Sequence, residues 1–390
     1  MFRRLRVMCG GTIVEDIDQY NRIHEMFHIM TNRHNRDLDD VTGFEMRWDE
    51  ESFYNGSVNI TNALTPTIWA NQHKGYIPGG LKKTVCFKLL SGLLNQAKWI
   101  PLRYAPITLE LEIVNAFTDV TVELHNNPDG TAAIWGGGNC SQEWYIANVQ
   151  LKCDLCQLDS AFGNSYAEHM LSGKSLPINY NTYISQIQTI SGQDVSVNVS
   201  RSVTRLKSIF INFIKKSAPY TIADDAVDGA AGYTGGVLGN FRKCNKPWNC
   251  FYHPMTGRNS TRANYDVTKE LEIQVQIGSK LYPEYPIRSL TETFSQLRKT
   301  MGVQASTLYS FAILPRMYRS MHFIVGFDAE KVLEAGYTGL NTKNGDVMLI
   351  KVKALDQVGL PVNRMPDEMQ VVLHSDQILD ISDAGTQVFD

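Results

Sequence analysis

The chain has 390 residues, of which 43% are hydrophobic and 20% are charged, a composition typical of a soluble globular protein with large buried cores. Its formal net charge of -3 argues against a protein whose whole surface binds nucleic acid, and no apolar run approaches the roughly 18 residues that span a bilayer. The first residues contain no apolar stretch long enough for a signal peptide, and the seven scattered cysteines predict reduced thiols in a cytosolic or nuclear setting.

One supersecondary pattern occurs twice in the chain. An alternating strand at 5–9 reaches Gly10 and Gly11 and leads into a helix, and an alternating strand at 271–277 reaches Gly278 and leads into another. Both helices have apolar residues spaced three, four and three positions apart. The repeat predicts a duplicated domain. The apolar helix positions are Tyr20, Ile23, Phe27 and Met30 in the first copy and Ile287, Leu290, Phe294 and Leu297 in the second.

Strand patterns dominate the rest of the chain. Alternating polar and apolar residues predict half-buried strands, and a continuous apolar run at 208–214 predicts a strand covered on both faces. One short helix, with Phe162, Tyr166 and Met170 on one face, is predicted between an Asp159 cap and Gly173. The predicted strands outside the repeat are 107–113, 120–124, 149–155, 195–200, 208–214, 346–354 and 369–381.

Long loops connect these elements at roughly 32–80, 126–142 and 223–265. Many strands, long loops and few helices predict β-sandwiches of the jelly-roll type. A flexible stretch of small residues around 223–240 marks a linker between two copies. We therefore expect a first jelly roll at 1–217 and a second at 218–390.

The two copies differ in what precedes them. About fifty residues separate the linker from the second copy, enough for the opening strands of a sandwich, whereas almost nothing precedes the first copy. We expect the first jelly roll to be N-terminally incomplete, without its opening strands. The alternative is a first domain that is built differently.

The sequence His-Glu-Met-Phe-His at 24–28 is a formal zinc-protease pattern. On a helix, His24 and His28 lie one turn apart and can bind zinc while the glutamate activates water, and His34 stands where a third ligand is expected. Thr31 replaces the glycine that would turn the chain toward that ligand, and too few residues precede the motif for a supporting sheet. The second copy has no histidine at the matching positions. An ordinary packed helix is therefore favoured. The matching positions in the second copy are Thr291 and Ser295.

Other motifs that could carry chemistry are weak. Cys153 and Cys156 form one C-x-x-C inside an alternating strand, where an offset of three places the thiols on opposite faces. Cys244 and Cys250 could complete a tetrad only if the fold brought all four together. No phosphate-binding glycine loop and no nucleophile elbow occurs. Basic clusters at 201–207 and 215–216 suit solvated strand ends or, alternatively, contact with nucleic acid. No catalytic residue and no cofactor is predicted.

Extended segments of the chain resemble a known family. The segments CGGTIVEDIDQYNRIHEMF and LDSAFGNSYAEHMLSGKSLPINYNTYISQIQTI, followed by VNVSRSVTRLKSIFINF, are similar to double jelly-roll major capsid proteins of double-stranded DNA viruses, of the polinton-like and nucleocytoplasmic large DNA virus lineage. KELEIQVQIGSKLYPEYPIRSLTETFSQLRK and MQVVLHSDQILDISDAGTQVFD resemble the start and last strand of the second sandwich in that family. The resemblance covers most of 5–390 and departs at the front, where the family has further strands.

The resemblance implies an all-β structural protein of two tandem eight-stranded jelly rolls. Such subunits form homotrimers of pseudo-hexameric outline, which tile an icosahedral shell with minor capsid and penton proteins. The implied location is the virion, assembled in the host cytoplasm or nucleus, with no specific nucleic acid partner. Loop aromatics are suited to subunit contacts, although packing over their own sandwich ends is an equal alternative. These residues are Trp69, Tyr76, Trp135, Trp248, Phe251 and Tyr252.

Two other classes of protein share parts of this pattern. A carbohydrate-binding or adhesive β-sandwich would have the same strands and exposed aromatic residues, but it would be monomeric with a shallow aromatic groove. A zinc metalloprotease acting through 24–28 is the third and least favoured interpretation. Neither requires a closed trimer, so the oligomeric state separates them from a capsid subunit.

Overall fold

A computed structural model describes a little over half of the chain. The described residues are 1–31, 82, 84–115, 120, 143–192, 194–214, 251, 254, 271–302, 313, 318, 322–329, 339–343, 347–353 and 366–390. Within them, strands far outnumber helices, which confirms a mainly β protein. In the same residues, none of the helices combines the length and the apolar character needed to cross a membrane.

The described part of the chain contains twelve strands and four helices. The strands are β1 (Phe2–Cys9), β2 (Thr12–Asp18), β3 (Ile107–Ile113), β4 (Leu176–Thr189), β5 (Val195–Val199), β6 (Leu206–Ile214), β7 (Glu272–Ile277), β8 (Lys280–Ile287), β9 (Ile324–Asp328), β10 (Met348–Lys353), β11 (Glu368–Ser382) and β12 (Gly385–Phe389). The helices are α1 (Tyr20–Met30), α2 (Gly92–Asn95), α3 (Ser160–Leu171) and α4 (Leu290–Thr300).

The repeated unit is confirmed, and each copy is a β-hairpin followed by an 11-residue helix. β1 and β2 turn at Gly10 and Gly11, with φ of 57° and 85°, and β7 and β8 turn at Gly278, with φ of 58°. Glycine enters this left-handed region without the steric cost that other residues carry. The second strand of each hairpin was absent from the prediction, which had the helix follow the glycines directly.

The predicted alignment of the two helices was wrong by three residues. Ile287 ends β8, and α4 begins at Leu290, so Thr293 lies on the buried face where Ile23 lies in α1. The apolar positions of a helix recur every three or four residues, so a shift of three still superposes much of the stripe. The residues of α4 that match His24 and His28 are therefore Phe294 and Arg298.

All strand pairs in the described residues are antiparallel, in three sheets. The sheet orders are β2-β1-β3, β5-β10-β7-β8 and β12-β11-β6-β9, with β4 also paired to β11. Two of these sheets combine strands from both sides of residue 217, since β5 pairs with β10 and β6 pairs with β9 and β11. The two halves of the chain therefore share sheets. The boundary at 217 and the number of jelly rolls stay predictions.

The centre of the third sheet is covered on both faces. Every residue of β6 but Lys207 is buried, as its continuous apolar run predicts. β11, with 15 residues, pairs with β4 along almost its whole length and with β6 over its first half. This long strand ties 176–214 to the end of the chain, so the C-terminal segment is part of the core.

The C-terminal hairpin also contacts the first hairpin. Thr386 Oγ1 donates a hydrogen bond to the Cys9 carbonyl at 2.7 Å, and Thr12 Oγ1 donates to the Thr386 carbonyl at 3.0 Å. A Cβ on Gly10 would lie 2.9 Å from Thr386 Oγ1, so glycine is needed there for close approach as well as for the turn. These contacts join the two ends of the chain.

A buried carboxylate connects the first hairpin to α2. Glu15 accepts hydrogen bonds from the Gly92 amide at 2.8 Å and from the Ser91 hydroxyl. Its side chain is almost fully buried, and this burial raises the pKa of Glu15 to about 6, although the hydrogen bonds act in the opposite direction. A Cβ on Gly92 would lie 1.4 Å from the Asn181 carbonyl oxygen, so only glycine lets α2 approach β4 so closely.

A half-buried histidine lies behind α1. The His374 ring stacks on Tyr183 with centroids 5.0 Å apart, and Tyr183 in turn packs on Phe27 of α1 at 4.8 Å. His374 Nδ1 lies 3.1 Å from the Ser208 hydroxyl. Burial, with a smaller contribution from Lys207, lowers the pKa of His374 to about 4, so the ring is neutral at pH 7.

Candidate assembly surface

Residues 143–171, which we call the arm, expose apolar side chains along most of their length. The side chains of Val149, Leu151 and Leu155 are 75%, 63% and 78% exposed, and Tyr145 is 82% exposed. Eight of the eighteen exposed large hydrophobic residues in the described part of the chain lie in these 29 residues. The arm is therefore the densest exposed apolar surface that the structure describes.

The first part of the arm, 143–159, lies outside any helix or strand. The predicted strand at 149–155 keeps its alternation of Val149, Leu151, Cys153 and Leu155 with polar residues, but it pairs with no strand among the described residues. A single extended segment has no backbone partners of its own, so its N–H and C=O groups are open to water or to another strand. The strand predicted at 149–155 is therefore wrong: the structure has no strand there, because the segment pairs with no strand among the described residues, and all seven of its residues are exposed.

The second part of the arm is helix α3, as predicted. Asp159 caps it by accepting a hydrogen bond from the Ala161 amide at 2.5 Å, and Gly173 follows its end with φ of 77°. Met170 is its one buried residue. Phe162, which is 55% exposed, packs beside Tyr166 with ring centroids 5.5 Å apart. α3 thus presents an aromatic pair to the surface.

Leaving the apolar side chains of the arm exposed to water is energetically unfavourable. Burying one Val, Leu or Phe side chain contributes about 1.5–3 kcal/mol, and monomeric proteins rarely expose contiguous apolar patches larger than a few hundred Å². A surface with eight such side chains on consecutive segments is typical of a contact with another macromolecule.

Strand β3 has an edge that could pair with another strand. Among the described residues it pairs with β1 alone, so its other side is a sheet edge. Its polar face carries Glu110, 3.1 Å from Arg6, and Glu112, 3.8 Å from Arg3. Ile113 at its end is 45% exposed. β3 contains no proline, so its backbone can accept another strand.

The edge at β8 is built differently. β8 contains Pro283 and Pro286, which have no N–H to donate, and the peptide bond before Pro283 is cis. Proline on an edge strand prevents pairing with further strands. Tyr285 is 79% exposed there, but the backbone beside it cannot form a regular ladder.

The predicted zinc motif is only partly described. His24 and His28 lie on one face of α1 with ring centroids 6.4 Å apart, and His28 is 9% exposed. His24 packs near Phe87 at 6.0 Å and near Tyr20 at 5.7 Å. His34 lies outside the described residues. Within the described ranges, no three His, Cys, Asp or Glu side chains are grouped as metal ligands.

The predicted subunit-contact aromatics mostly lie outside the described residues. Phe251 is the exception, and it is fully buried in its own chain, where its carbonyl accepts a hydrogen bond from the Phe323 amide at 2.9 Å. The subunit-contact role of Phe251 also stays a prediction. The other five, Trp69, Tyr76, Trp135, Trp248 and Tyr252, stay predictions.

The other motifs fall on surfaces. Cys153 and Cys156 are exposed free thiols on the arm, and Cys244 and Cys250 lie outside the described residues. In the basic cluster, Lys207 lies 3.6 Å from Asp376, and both side chains are largely buried. Part of this cluster therefore neutralises a buried carboxylate rather than facing a nucleic acid.

Comparisons with known proteins identify the fold. No protein-family model matches the sequence, and no curated protein matches it. Among solved structures, the chain matches PBCV-1 VP54 fitted into a cryo-EM reconstruction of the virophage Sputnik, with a TM-score of 0.50 and 11% identity over 100% of this chain and 83% of that one. The resemblance to viral capsid proteins is therefore confirmed at the level of the fold.

Two further matches are weaker. A quasi-atomic model of the PBCV-1 virus capsid has a TM-score of 0.48 and 10% identity, over 100% of this chain and 83% of that chain. The cryo-EM structure of the Sputnik virophage has a TM-score of 0.49 and 10% identity, over 100% of this chain and 74% of that chain.

Sequence reasoning missed the assembly surface and predicted only its helix correctly. The helix after Asp159 was predicted, whereas 149–155 was predicted as a strand of a sandwich and is not a strand in the structure. One signal was available in the sequence, because a strand needs a partner and no neighbouring hairpin turn joins 149–155 to another strand.

Proposed function

We propose that this chain is a viral major capsid protein that acts as a structural subunit and not as an enzyme. The exposed apolar arm is the observation that supports this proposal most strongly, because it needs a partner for its hydrophobic surface. The shared fold with PBCV-1 VP54 makes a capsid role the natural context. Fold alone does not define function, so the arm carries the argument.

The proposed assembly has two levels. Three copies form a homotrimer of pseudo-hexameric outline, and neighbouring trimers tile an icosahedral shell with minor capsid and penton proteins, which places the protein in the virion. Closed symmetry suits such a subunit, since a contact between different surfaces of identical copies forms a ring when the rotation closes. The arm and the β3 edge are two such different surfaces.

Light scattering coupled to size-exclusion chromatography tests the proposal. We expect the purified chain to elute at three times 43.9 kDa or larger, and negative-stain images to show closed particles of uniform outline. A monomer of 43.9 kDa at micromolar concentration would instead favour the carbohydrate-binding or adhesive β-sandwich. The zinc protease would need bound metal and a peptidase activity that His24→Ala abolishes.

A further inference from the structure

We propose that residues 149–155 of one copy form a β-strand that adds to the β3 edge of a second copy of this chain. This inference rests on the proposed self-association and names the surfaces that carry it. One surface is the exposed 149–155 part of the arm, and the other is the edge of β3 that faces away from β1. Strand addition of this kind uses main-chain hydrogen bonds for affinity and alternate side chains for specificity.

The two segments match in length and pattern. β3 has seven residues, Ile-Thr-Leu-Glu-Leu-Glu-Ile, and 149–155 has seven, Val-Gln-Leu-Lys-Cys-Asp-Leu. Both alternate apolar and polar side chains, starting and ending on an apolar one. Paired side by side, they would therefore bring all their apolar side chains to one face and all their polar side chains to the other.

Charge selects the antiparallel orientation. With Lys152 opposite Glu110, antiparallel pairing places Asp154 opposite Thr108 and Gln150 opposite Glu112, so opposite charges meet once and like charges never meet. Parallel pairing with the same central pair would place Asp154 directly opposite Glu112, and like charges directly opposite are destabilising. On the apolar face, antiparallel pairing joins Val149 to Ile113, Leu151 to Leu111, Cys153 to Leu109 and Leu155 to Ile107.

The partner is a second copy and not the same chain. The arm remains exposed in a chain that already contains its own β3, with Leu151 63% and Leu155 78% exposed. Its own β3 therefore does not cover it. Because the donor and acceptor surfaces differ, the contact is head-to-tail, and it closes into a ring when three copies are related by a threefold axis.

A disulfide between the paired positions tests the register directly. Cys153 is an exposed native thiol, and its proposed partner is Leu109. Directly opposed antiparallel residues have Cα atoms about 4.5–5.5 Å apart, within the range of about 4.4–6.8 Å that a disulfide bridges. The test variant is Leu109→Cys, made in a background where the exposed Cys86 and Cys156 are changed to serine.

Mixed samples of unlabelled and ¹⁵N-labelled protein identify the linked chains. We expect mild oxidation of the Leu109→Cys variant to give covalent dimers and trimers, with mixed-isotope peptide pairs joining residues 109 and 153. Thr108→Cys in the same background is the matched control, because residue 108 lies on the opposite face of the strand and should give at least tenfold less product. A link within one chain, no link, or equal linking of both variants would overturn the proposal.

A second measurement covers the case in which Leu109→Cys does not fold. Leu151→Asp combined with Leu155→Asp places charge on the apolar face of the arm, and both positions are exposed, so the fold itself should survive. We expect at least a tenfold rise in the protein concentration needed for assembly. Ile13→Asp, at a 50% exposed position of β2, is the control and should leave that concentration unchanged.

The outcomes separate the two proposals. A wild-type chain that assembles normally, together with an arm variant that assembles equally well, overturns the arm assignment and leaves the capsid role standing. A wild-type chain that stays monomeric at all concentrations overturns the capsid role as well.

Discussion

The two hairpin–helix units have the same local structure and different surroundings. The first, β1–β2–α1, contacts distant segments through the buried carboxylate of Glu15 and through Phe27, which packs on Tyr183 and so on the half-buried His374. The second, β7–β8–α4, packs its helix on β9 through apolar contacts, with Leu297 and Thr300 against Gly326. The first unit thus lies against titratable groups with shifted pKa values, whereas the described contact of α4 with β9 is one of close packing.

The first residues of α1 and α4 also differ between the two units. α1 begins after Gln19, whose side chain forms no capping hydrogen bond, whereas Ser289 caps α4 by accepting a hydrogen bond from the Glu292 amide at 3.3 Å. Glu292 in turn accepts a hydrogen bond from the amide of Arg288, the residue before the cap, at 2.8 Å; in a capping box the donor is the amide of the cap residue itself. α1 is held by burial of its side chains, and α4 by its cap as well.

The largest expected effect comes from Gly92 of α2, which lies against Glu15 of the first unit. Gly92→Ala places a Cβ against the Asn181 carbonyl oxygen and displaces α2 from Glu15, so we expect a loss of about 3 kcal/mol of stability or more. Urea unfolding followed by circular dichroism measures this. Gly163→Ala in α3, where a Cβ meets nothing within 4 Å, is the control and should stabilise slightly. Equal effects of the two would contradict the close approach of α2 and β4.

The next effect is acid destabilisation through His374. Its folded pKa is lowered to about 4, so the unfolded chain binds the proton more readily, and stability falls as the pH drops from about 6.5 to about 4. From that shift we expect a loss of up to about 3 kcal/mol. Hydrogen exchange should show earlier acid opening at α1 than at α4. His374→Gln should remove this dependence, and an unchanged acid profile in that variant would contradict it.

Glu15, in β2 of the first unit, changes the stability with pH in the opposite direction to His374. Its folded pKa is raised to about 6, so the ionised form costs stability at pH 7, and that cost disappears as the pH falls through 6 toward the ordinary value. Glu15→Gln removes the charge and keeps one acceptor oxygen for the Gly92 amide, while its amide nitrogen can donate to the Ser91 hydroxyl. We expect its stability relative to wild type to rise by about 1–2 kcal/mol between pH 5 and pH 7. A flat difference across this range would show that Glu15 is not shifted.

The smallest expected change in stability comes from the residues that precede the two helices, Gln19 before α1 and Ser289 before α4. Ser289→Ala removes the cap of α4 and should cost about 1 kcal/mol. Gln19→Ala removes no capping bond and should change stability by less than about 0.5 kcal/mol. Thermal unfolding of both variants measures the difference. Equal losses would indicate that Gln19 does contribute to α1.

The elements with strong periodicity were predictable from the sequence, and their partners were not. β3 was predicted with its observed bounds, and β6, β10 and β11 to within two residues at each end, because alternating or continuous apolar runs are local signals. The pairing of β6 with β11 joins residues about 160 positions apart, and no local signal encodes it. The repeat revealed the hairpin–helix unit but not the difference between its two environments.

The candidate site was predictable only in part, for a related reason. The sequence indicates that 149–155 is extended and half apolar, but the burial of a side chain depends on what lies beside it. Loop aromatics attracted attention because they are large, yet the one described, Phe251, is buried in its own chain. His28 is a second example. Its spacing from His24 suits metal binding, but its side chain is mostly buried.

Native mass spectrometry of the purified chain tests the central claim, self-association into a shell subunit, most directly. We expect the dominant species of the wild-type chain to have three times the 43.9 kDa mass of one chain. For the Leu151→Asp, Leu155→Asp variant we expect the 43.9 kDa monomer to dominate instead. A wild-type spectrum that contains only the 43.9 kDa species, at concentrations where the variant gives the same spectrum, would contradict the account.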